Sequence, residues 1–186
     1  MEQRLPDHVT SPRLTLRQWV ESDVDPLAAA IAASTEHLRP WMPWIEAEPL
    51  DREQRLALIR TWRAGWERGG DSVVGLFDVD GCVVGGSGLH RRRGPGVLEI
   101  GYWVGFDHIR QGYATEATRA LTAAALSVEG IDRVEIHHDR ANVASGRVPK
   151  ALGYTFADEH DRAAVAPAET GVDWRWTMQR DDWRSG

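Results

Sequence analysis

The run DHIRQGYATEATRALTAAAL, residues 107–126, sets Gly112 at the mouth of an Ala-rich helical stretch, directly after the strand-like VLEIGYWVGF. The first N–H groups of a helix have no internal acceptor and the helix dipole favours an anion beside them. A glycine there, which lets backbone approach a ligand closely, reads as a phosphate-type site. A plain tight strand-to-helix turn accounts for the same glycine. Glu99 stands between Leu98 and Ile100 on an otherwise apolar strand. By alternation its side chain shares a face with Gly101 and Trp103, opposite Leu98, Ile100 and Tyr102. If buried, its pKa rises toward the range of a general base; a structural ion pair is the other reading. Asn142 and Ser145 lie three apart on the short helical stretch NVASGRVPKALG, on one face and able to reach a common ligand. Asn142 also suits that helix as its N-terminal cap. His137 and His138 supply imidazoles that titrate near neutrality. Being adjacent on a strand they point to opposite faces, so no shared metal ion is expected.

These groups need elements to hold them. RLTLRQW (13–19) alternates as a strand does, and SDVDPLAAAIAAS follows as a helix with an acidic, Pro-containing start. HLRPWMPWI carries two prolines and reads as an irregular aromatic loop. From Asp51 to about Arg68, apolar residues recur at helical spacing and Arg-Gly-Gly ends the run. DSVVGLFDV and CVVGGSGLH flank Asp-Gly, a strong hairpin signal, and RRRGPG turns into VLEIGYWV. A helix over about 113–128, the strand RVEIHH, a short helix ended by glycine, the strand YTFAD and the strand DWRWTMQ complete the order. Residues from His160 to Val172 read as an exposed loop. The order β-α-α-β-β-β-α-β-α-β-β predicts a mixed, mostly antiparallel sheet of about seven strands with about four helices and one parallel pair. Open sheets of this kind bind ligands at the carboxyl ends of strands where connectivity changes, and Asp107–Ala114 is that place.

The chain has 186 residues, a net charge of −6 and ordinary hydrophobic and charged content, which fits one soluble domain and argues against a general nucleic-acid binder. Neither an apolar leader nor a membrane-length span appears, so a cytoplasmic protein without membrane contact is expected. Cys82 is the single cysteine, which excludes an internal disulfide and a multi-cysteine zinc site. It is expected to be buried and inert. GGSGLH lies in a strand with no helix after it, so it is not a dinucleotide loop.

Two motifs together, EIGYWV…RQGYATEA and the later DRANVASGRVPKALGY, resemble the GNAT N-acetyltransferases. With the early HLRPWMPWI they resemble more narrowly the RimJ/RimL-like branch, which acetylates protein N-termini or small amines. The family pattern has Gln or Arg three residues before the first motif glycine, where this chain has Ile109. The resemblance implies a mixed α/β (α+β) GNAT-type fold over 1–186 as a single domain, with the parallel strand pair at a CoA cleft. It implies acetyl-CoA as co-substrate and no metal, with the diphosphate over the N–H groups of Arg110, Gln111, Gly112, Tyr113, Ala114 and Thr115. Backbone of Trp103 and Val104 is implied to face the pantetheine, Asn142 to contact CoA, and Arg147 and Lys150 to reach its phosphates unless they are solvated surface. Glu99 is implied as base, through a water or directly, with His138 or His137 as alternatives, and Ser145 as proton donor to the leaving thiolate. Trp41 and Trp44 can wall an acceptor slot by shape and cation–π contact, with His138 facing it and with Trp62 and Trp66 contributing unless they only pack. The expected activity is acetyl transfer to a primary amine, a peptide N-terminus or a small molecule, by direct attack in a ternary complex. The rival is a non-catalytic acyl-CoA sensor of the same fold, and a homodimer stays open.

Overall fold

The structure, a computed structural model, describes residues 4–183. The chain opens with a hairpin, β1 (His8–Thr10) and β2 (Thr15–Gln18), and crosses to α1 (Val24–Leu38) through a short 3-10 turn. The aromatic segment then forms an irregular turn with a 3-10 stretch at Pro43–Ala47, as its prolines demand. Helix α2 (Arg52–Glu67) starts at Asp51, whose carboxylate accepts the Gln54 N–H at 2.8 Å while Gln54 returns a bond to the Asp51 N–H at 2.9 Å. The strands β3 (Ser72–Phe77), β4 (Val83–His90) and β5 (Val97–Val104) follow as an antiparallel meander. Gly81, at φ +80°, takes the left-handed position of the Asp-Gly turn. Helix α3 (Tyr113–Ser127) crosses back to β6 (Arg133–Asp139), then come α4 (Val143–Ala151), β7 (Thr155–Asp161) and β8 (Val172–Gln179).

The spatial order of the sheet is β1-β2-β3-β4-β5-β6-β8-β7, with eight strands rather than seven, because the three-residue β1 is added at the edge. All neighbours are antiparallel except β5 and β6, which α3 joins as a crossover. The last strand inserts between β6 and β7 and pairs with β6 along its full length, from Arg133↔Gln179 to Asp139↔Asp173. The segment from His160 to Val172 is not a free loop. Its start extends β7, Arg162, Thr170 and Gly171 are bonded back to the sheet, and Glu169 holds Arg162. Cys82 is exposed on the β3–β4 turn, which corrects the expectation of a buried thiol: β4 begins one residue later, and the Cys82 N–H is held by Asp78 Oδ1 at 2.8 Å.

Strand alternation sends the two faces of the sheet into two cores. Leu98 and Ile100 of β5 and Val134 and Ile136 of β6 pack with Leu121 and Ala125 of α3. On the opposite face Trp19 and Phe77 pack with Ile31 of α1 and Ile59 of α2, and Trp103 leans on this second cluster. No described helix is long and apolar enough to cross a membrane.

Candidate active site

The parallel pairing of β5 with β6 covers only Val97–Glu99 against Arg133–Glu135. Both strands continue, β5 to Val104 and β6 to Asp139, so from Ile100 onward the β6-facing backbone of β5 opens into a wedge. Backbone N–H and C=O groups at such an edge require partners, and an extended arm bearing amides satisfies them as an added strand would. Trp103 and Val104 lie on this opened length.

A short loop leads from the end of β5 to the N-terminus of α3. Gly112 is the residue before the helix, with φ +82° and no side-chain cap, so the first-turn N–H groups are free of a capping oxygen. Arg110, at φ +60°, is the described non-glycine residue with positive φ, and together with Gly112 it curls the backbone of the loop. Glu116 does not cap the helix. Burial works against its charge, but Ser11 Oγ at 2.7 Å, the Arg13 N–H at 2.8 Å and the Arg13 guanidinium outweigh it and hold the carboxyl below its ordinary value. Arg13 was not among the expected residues. Its guanidinium lies over the Tyr113 ring and donates to the Gln111 carbonyl at 3.0 Å, which brings a cation beside the bare helix end. Gly112 and Gln111 are exposed there, and Tyr113, Ala114 and Thr115 are half-buried behind them. This combination of orphan N–H groups, a left-handed glycine and an adjacent arginine fits a diphosphate.

On the α4 side, Tyr102 donates its hydroxyl hydrogen to the Ser145 carbonyl at 2.9 Å, and the Ser145 hydroxyl donates to the Tyr102 oxygen at 3.2 Å. Burial pushes the Tyr102 phenol above its ordinary value, against the opposing Ser145 hydrogen bond. Ser145 therefore faces the cleft as half of a hydroxyl pair whose other member sits on β5. Asn142 caps α4, its Oδ1 accepting the Ser145 N–H at 3.1 Å, and still lines the cleft. Arg147 and Lys150 are exposed on α4.

On the other face of β5 the charged residues gather. Glu99 lies where alternation puts it, only 4% exposed, with one carboxylate oxygen held by Arg92 and the other by Arg93. A general base asks for a raised pKa, and here the shift runs downward. Burial opposes the charge, but the Arg92 hydrogen bond and the charges of Arg92, Arg93 and His137 outweigh it and hold the carboxyl below its ordinary value. The ion-pair reading of Glu99 is the one the geometry takes up. His137 places Nδ1 3.0 Å from Asp173 and Nε2 2.8 Å from Glu135, and Asp173 also accepts from Arg162 at 3.0 Å. Ligand atoms of His137, His160 and Asp173 lie within 4.8 Å of one another, but these existing partners and Arg133 on Glu135 make the cluster an ion-pair network. His138 lines the cleft with both of its ring nitrogens engaged. Its Nε2 accepts from the Trp176 indole at 3.0 Å and its Nδ1 donates to the Asp139 carbonyl at 2.8 Å, so both nitrogens serve the fold. Burial accordingly lowers its pKa, against the raising effects of Asp139 and Asp173.

One imidazole escaped the sequence reading. His90 ends β4 and pairs across to Glu99, and its Nδ1 lies 2.8 Å from Asp71 Oδ2. Its ring lies along a floor of glycines, with Nε2 2.7 Å from where a β-carbon on Gly88 would sit and 3.8 Å from that of Gly101. Gly86 continues the floor to the Trp103 indole. The signal was present in CVVGGSGLH, where alternation puts His90 on the face of Gly86 and Gly88, opposite Leu89.

The glycine floor, β5 from Glu99 to Trp103, the end of β6 and the start of α4 line one cleft of about 830 Å3, with the α3 N-terminus outside its lining. Its outer wall is the aromatic segment: Trp41 lines it, and Trp44, 38% exposed, meets Trp103 at 6.0 Å between ring centres. Trp62 also lines the cleft while packing on α1 and α2 residues. Trp66 does not; its indole donates to the Leu5 carbonyl at 2.6 Å. Behind the wall, Arg55 and Glu48 form a buried ion pair at 2.5 Å.

Residues 13–155 match the acetyltransferase (GNAT) domain family. The chain belongs to the GNAT acetyltransferase family. Over 142 residues, 76% of this chain and 77% of the relative, the acetyltransferase is 28% identical to YdaF of Bacillus subtilis (strain 168), a protein named for ribosomal N-acetyltransferase activity. Its fold matches Mycobacterium smegmatis RimJ, solved with CoA-disulfide, at a TM-score of 0.84 and 20% identity, covering 100% of this chain and 93% of that one. RimL, a ribosomal L7/L12 α-N-protein acetyltransferase solved with coenzyme A, matches at 0.83 and 19% identity, covering 96% and 98%. The RimJ/RimL-like placement, the mixed sheet and the single parallel pair agree with these relatives.

Proposed function

We propose that this chain is an acetyl-CoA-dependent N-acetyltransferase that modifies a primary amine, a peptide N-terminus or a small-molecule amine, by direct attack in a ternary complex. The observation that carries the reading is the early parting of β5 from β6 in front of the uncapped α3 helix. Acetyl-CoA, when bound, supplies the activated acyl group. Around it the N–H groups of Arg110–Thr115, with Arg13, receive the diphosphate, and the opened backbone of Gly101–Val104 pairs with the pantetheine amides. Asn142 keeps its amide hydrogens for the cofactor while its Oδ1 caps α4. The Ser145 hydroxyl, which donates to the Tyr102 oxygen in the free protein, would turn its proton to the departing sulfur. The acceptor enters from the opposite side, between the Trp41–Trp44 segment and the glycine floor. Direct attack fits the absence of a cysteine among the residues lining the cleft, Cys82 being on the remote turn.

The test is thiol release from acetyl-CoA with a panel of amines, including N-terminal peptides beginning with Ser or Ala and small amines, alongside calorimetry with acetyl-CoA. Saturable turnover with at least one amine is expected. Tight acetyl-CoA binding without turnover of any amine would make the chain a binding module, and no binding would remove the reading altogether.

A further inference from the structure

We infer that His90, oriented by Asp71, is the base that takes the proton from the acceptor's ammonium group. This rests on the N-acetyltransferase reading above and adds to it the group that frees the amine.

Acetylation needs a neutral amine, and an ammonium entering the cleft must lose one proton to a group with a lone pair in reach. The titratable side chains lining the cleft are mostly committed elsewhere. Both oxygens of Glu99 are held by arginines, Glu48 pairs with Arg55, and Glu169 with Arg162. Asp139 accepts from Ala141, Thr170 and Gly171, Asp173 holds His137 and Arg162, and both nitrogens of His137 and of His138 have partners. His90 differs in having one nitrogen engaged and the other turned along the floor of the cleft.

The second observation is how that orientation is secured. Asp71 Oδ1 accepts the Arg91 N–H at 2.8 Å and Oδ2 faces His90 Nδ1 at 2.8 Å. A carboxylate acceptor on that side fixes the hydrogen of a neutral imidazole on Nδ1 and leaves the lone pair on Nε2. Partial burial works against the Asp71 charge, but the Arg91 N–H and His90 outweigh it, so the acceptor is ionised at neutral pH. The third is the floor. A β-carbon on Gly88 would stand 2.7 Å from Nε2, so the ring can lie there only over glycine. The charged groups that line the same region are Asp71 before β3, Arg92 after β4, Glu99 on β5, and the Arg55–Glu48 pair across the cleft. Arg92 is committed to Glu99 and Arg55 to Glu48, which leaves Asp71 as the charge that acts directly on the ring. The step is one proton transfer: an ammonium N–H bond breaks, an Nε2–H bond forms, the amine keeps the electron pair, and the imidazolium later returns its proton to water.

The experiment has two readouts. In the free protein, long-range 1H–15N NMR of His90 should show the Nδ1–H tautomer, and Asp71→Asn should lose that preference. In turnover, the wild type should show one acid limb in kcat/KM. His90→Gln should remove that limb and lower kcat by about 10²–10⁴-fold, the usual range for loss of a general base, with acetyl-CoA affinity retained by calorimetry. Asp71→Asn should fall less than His90→Gln, because the ring keeps its nitrogen but loses the carboxylate that orients it. A wild-type Nε2–H tautomer, or His90→Gln with wild-type rate and pH profile, overturns the assignment while leaving the acetyltransferase reading standing. A wild type that turns over no amine overturns both.

Discussion

The α3 end of the molecule and the cleft beside β4 are built from different material. At the α3 end the groups that face a ligand are main chain: the opened edge of β5 and the first-turn N–H groups behind Gly112, with Arg13 as the nearby side-chain charge. At the β4 end they are side chains delivered by separate elements: His90 from β4, Glu99 from β5, His137 from β6, and the tryptophans from the segment between α1 and α2. A backbone site asks little of residue identity beyond a glycine or two, and it recognises what all acyl-CoA molecules share. A side-chain site depends on several long-range placements at once, and the proposed reading puts acceptor choice and proton handling there. Damage at one end should therefore appear as lost cofactor affinity, and damage at the other as lost turnover with binding intact.

The sharpest break is Gly112→Glu. A side chain at φ +82° carries a left-handed backbone cost of about 1–2 kcal/mol, and its carboxylate would meet the diphosphate. The backbone cost lowers stability, whereas the like-charge contact, several kcal/mol at tenfold per 1.4 kcal/mol, should lower acetyl-CoA affinity by roughly 10²–10³-fold in calorimetry. An unchanged affinity would mean that the anion lies elsewhere. Gly88→Ala strikes the opposite end. Its new methyl displaces the His90 ring, the movable partner at 2.7 Å, and a misplacement of this size costs on the order of 10²-fold in kcat. Acetyl-CoA affinity should not follow; if both fall together in steady-state kinetics and calorimetry, the two ends are not separable.

Glu99→Gln tests how the side-chain end is held. It leaves Arg92 and Arg93 without their carboxylate, so denaturant unfolding should show a loss of about 1–3 kcal/mol. Turnover should drop by less than about tenfold, far short of general-base loss. The reverse pattern, intact stability with a collapse in kcat, would return the base role to Glu99. The smallest effect concerns His138. Its folded pKa lies below the ordinary 6.5, so the unfolded chain binds the extra proton first. The stability this gives is complete above pH 6.5 and is lost as pH falls through the lower folded value. Melting curves from pH 7.5 downward should drop by about 2–4 °C for each 1 kcal/mol lost in that window, and His138→Asn should flatten the slope.

What the sequence disclosed follows the same division. Local signals sufficed for the β3–β4 hairpin, for α2 with its Asp51 cap, and for the glycine before α3, because turn chemistry and periodicity act over a few residues. Alternation placed Glu99 and Trp103 on one face of β5 correctly. It could not tell how Glu99 titrates, since Arg92 and Arg93 reach it around a turn. The indole that holds His138, Trp176, sits on a strand that enters the sheet out of sequence order, so that contact was not legible. Arg13 was passed over because Glu116, the residue that fixes it beside α3, is more than a hundred positions away in the chain. His90 was legible as a face residue, but its meaning needed Asp71 and three glycines from two strands.

The division of labour itself is tested most directly by amide hydrogen exchange with and without saturating acetyl-CoA. Protection should rise at Gly101–Val104 and at Gly112–Thr115, where backbone N–H groups receive the cofactor. The amides of β4 around His90 and those of Arg92 and Arg93 should keep their unliganded rates. Protection confined to the β4 side, or spread over the side-chain network with none at Gly112–Thr115, would contradict a backbone-built cofactor end.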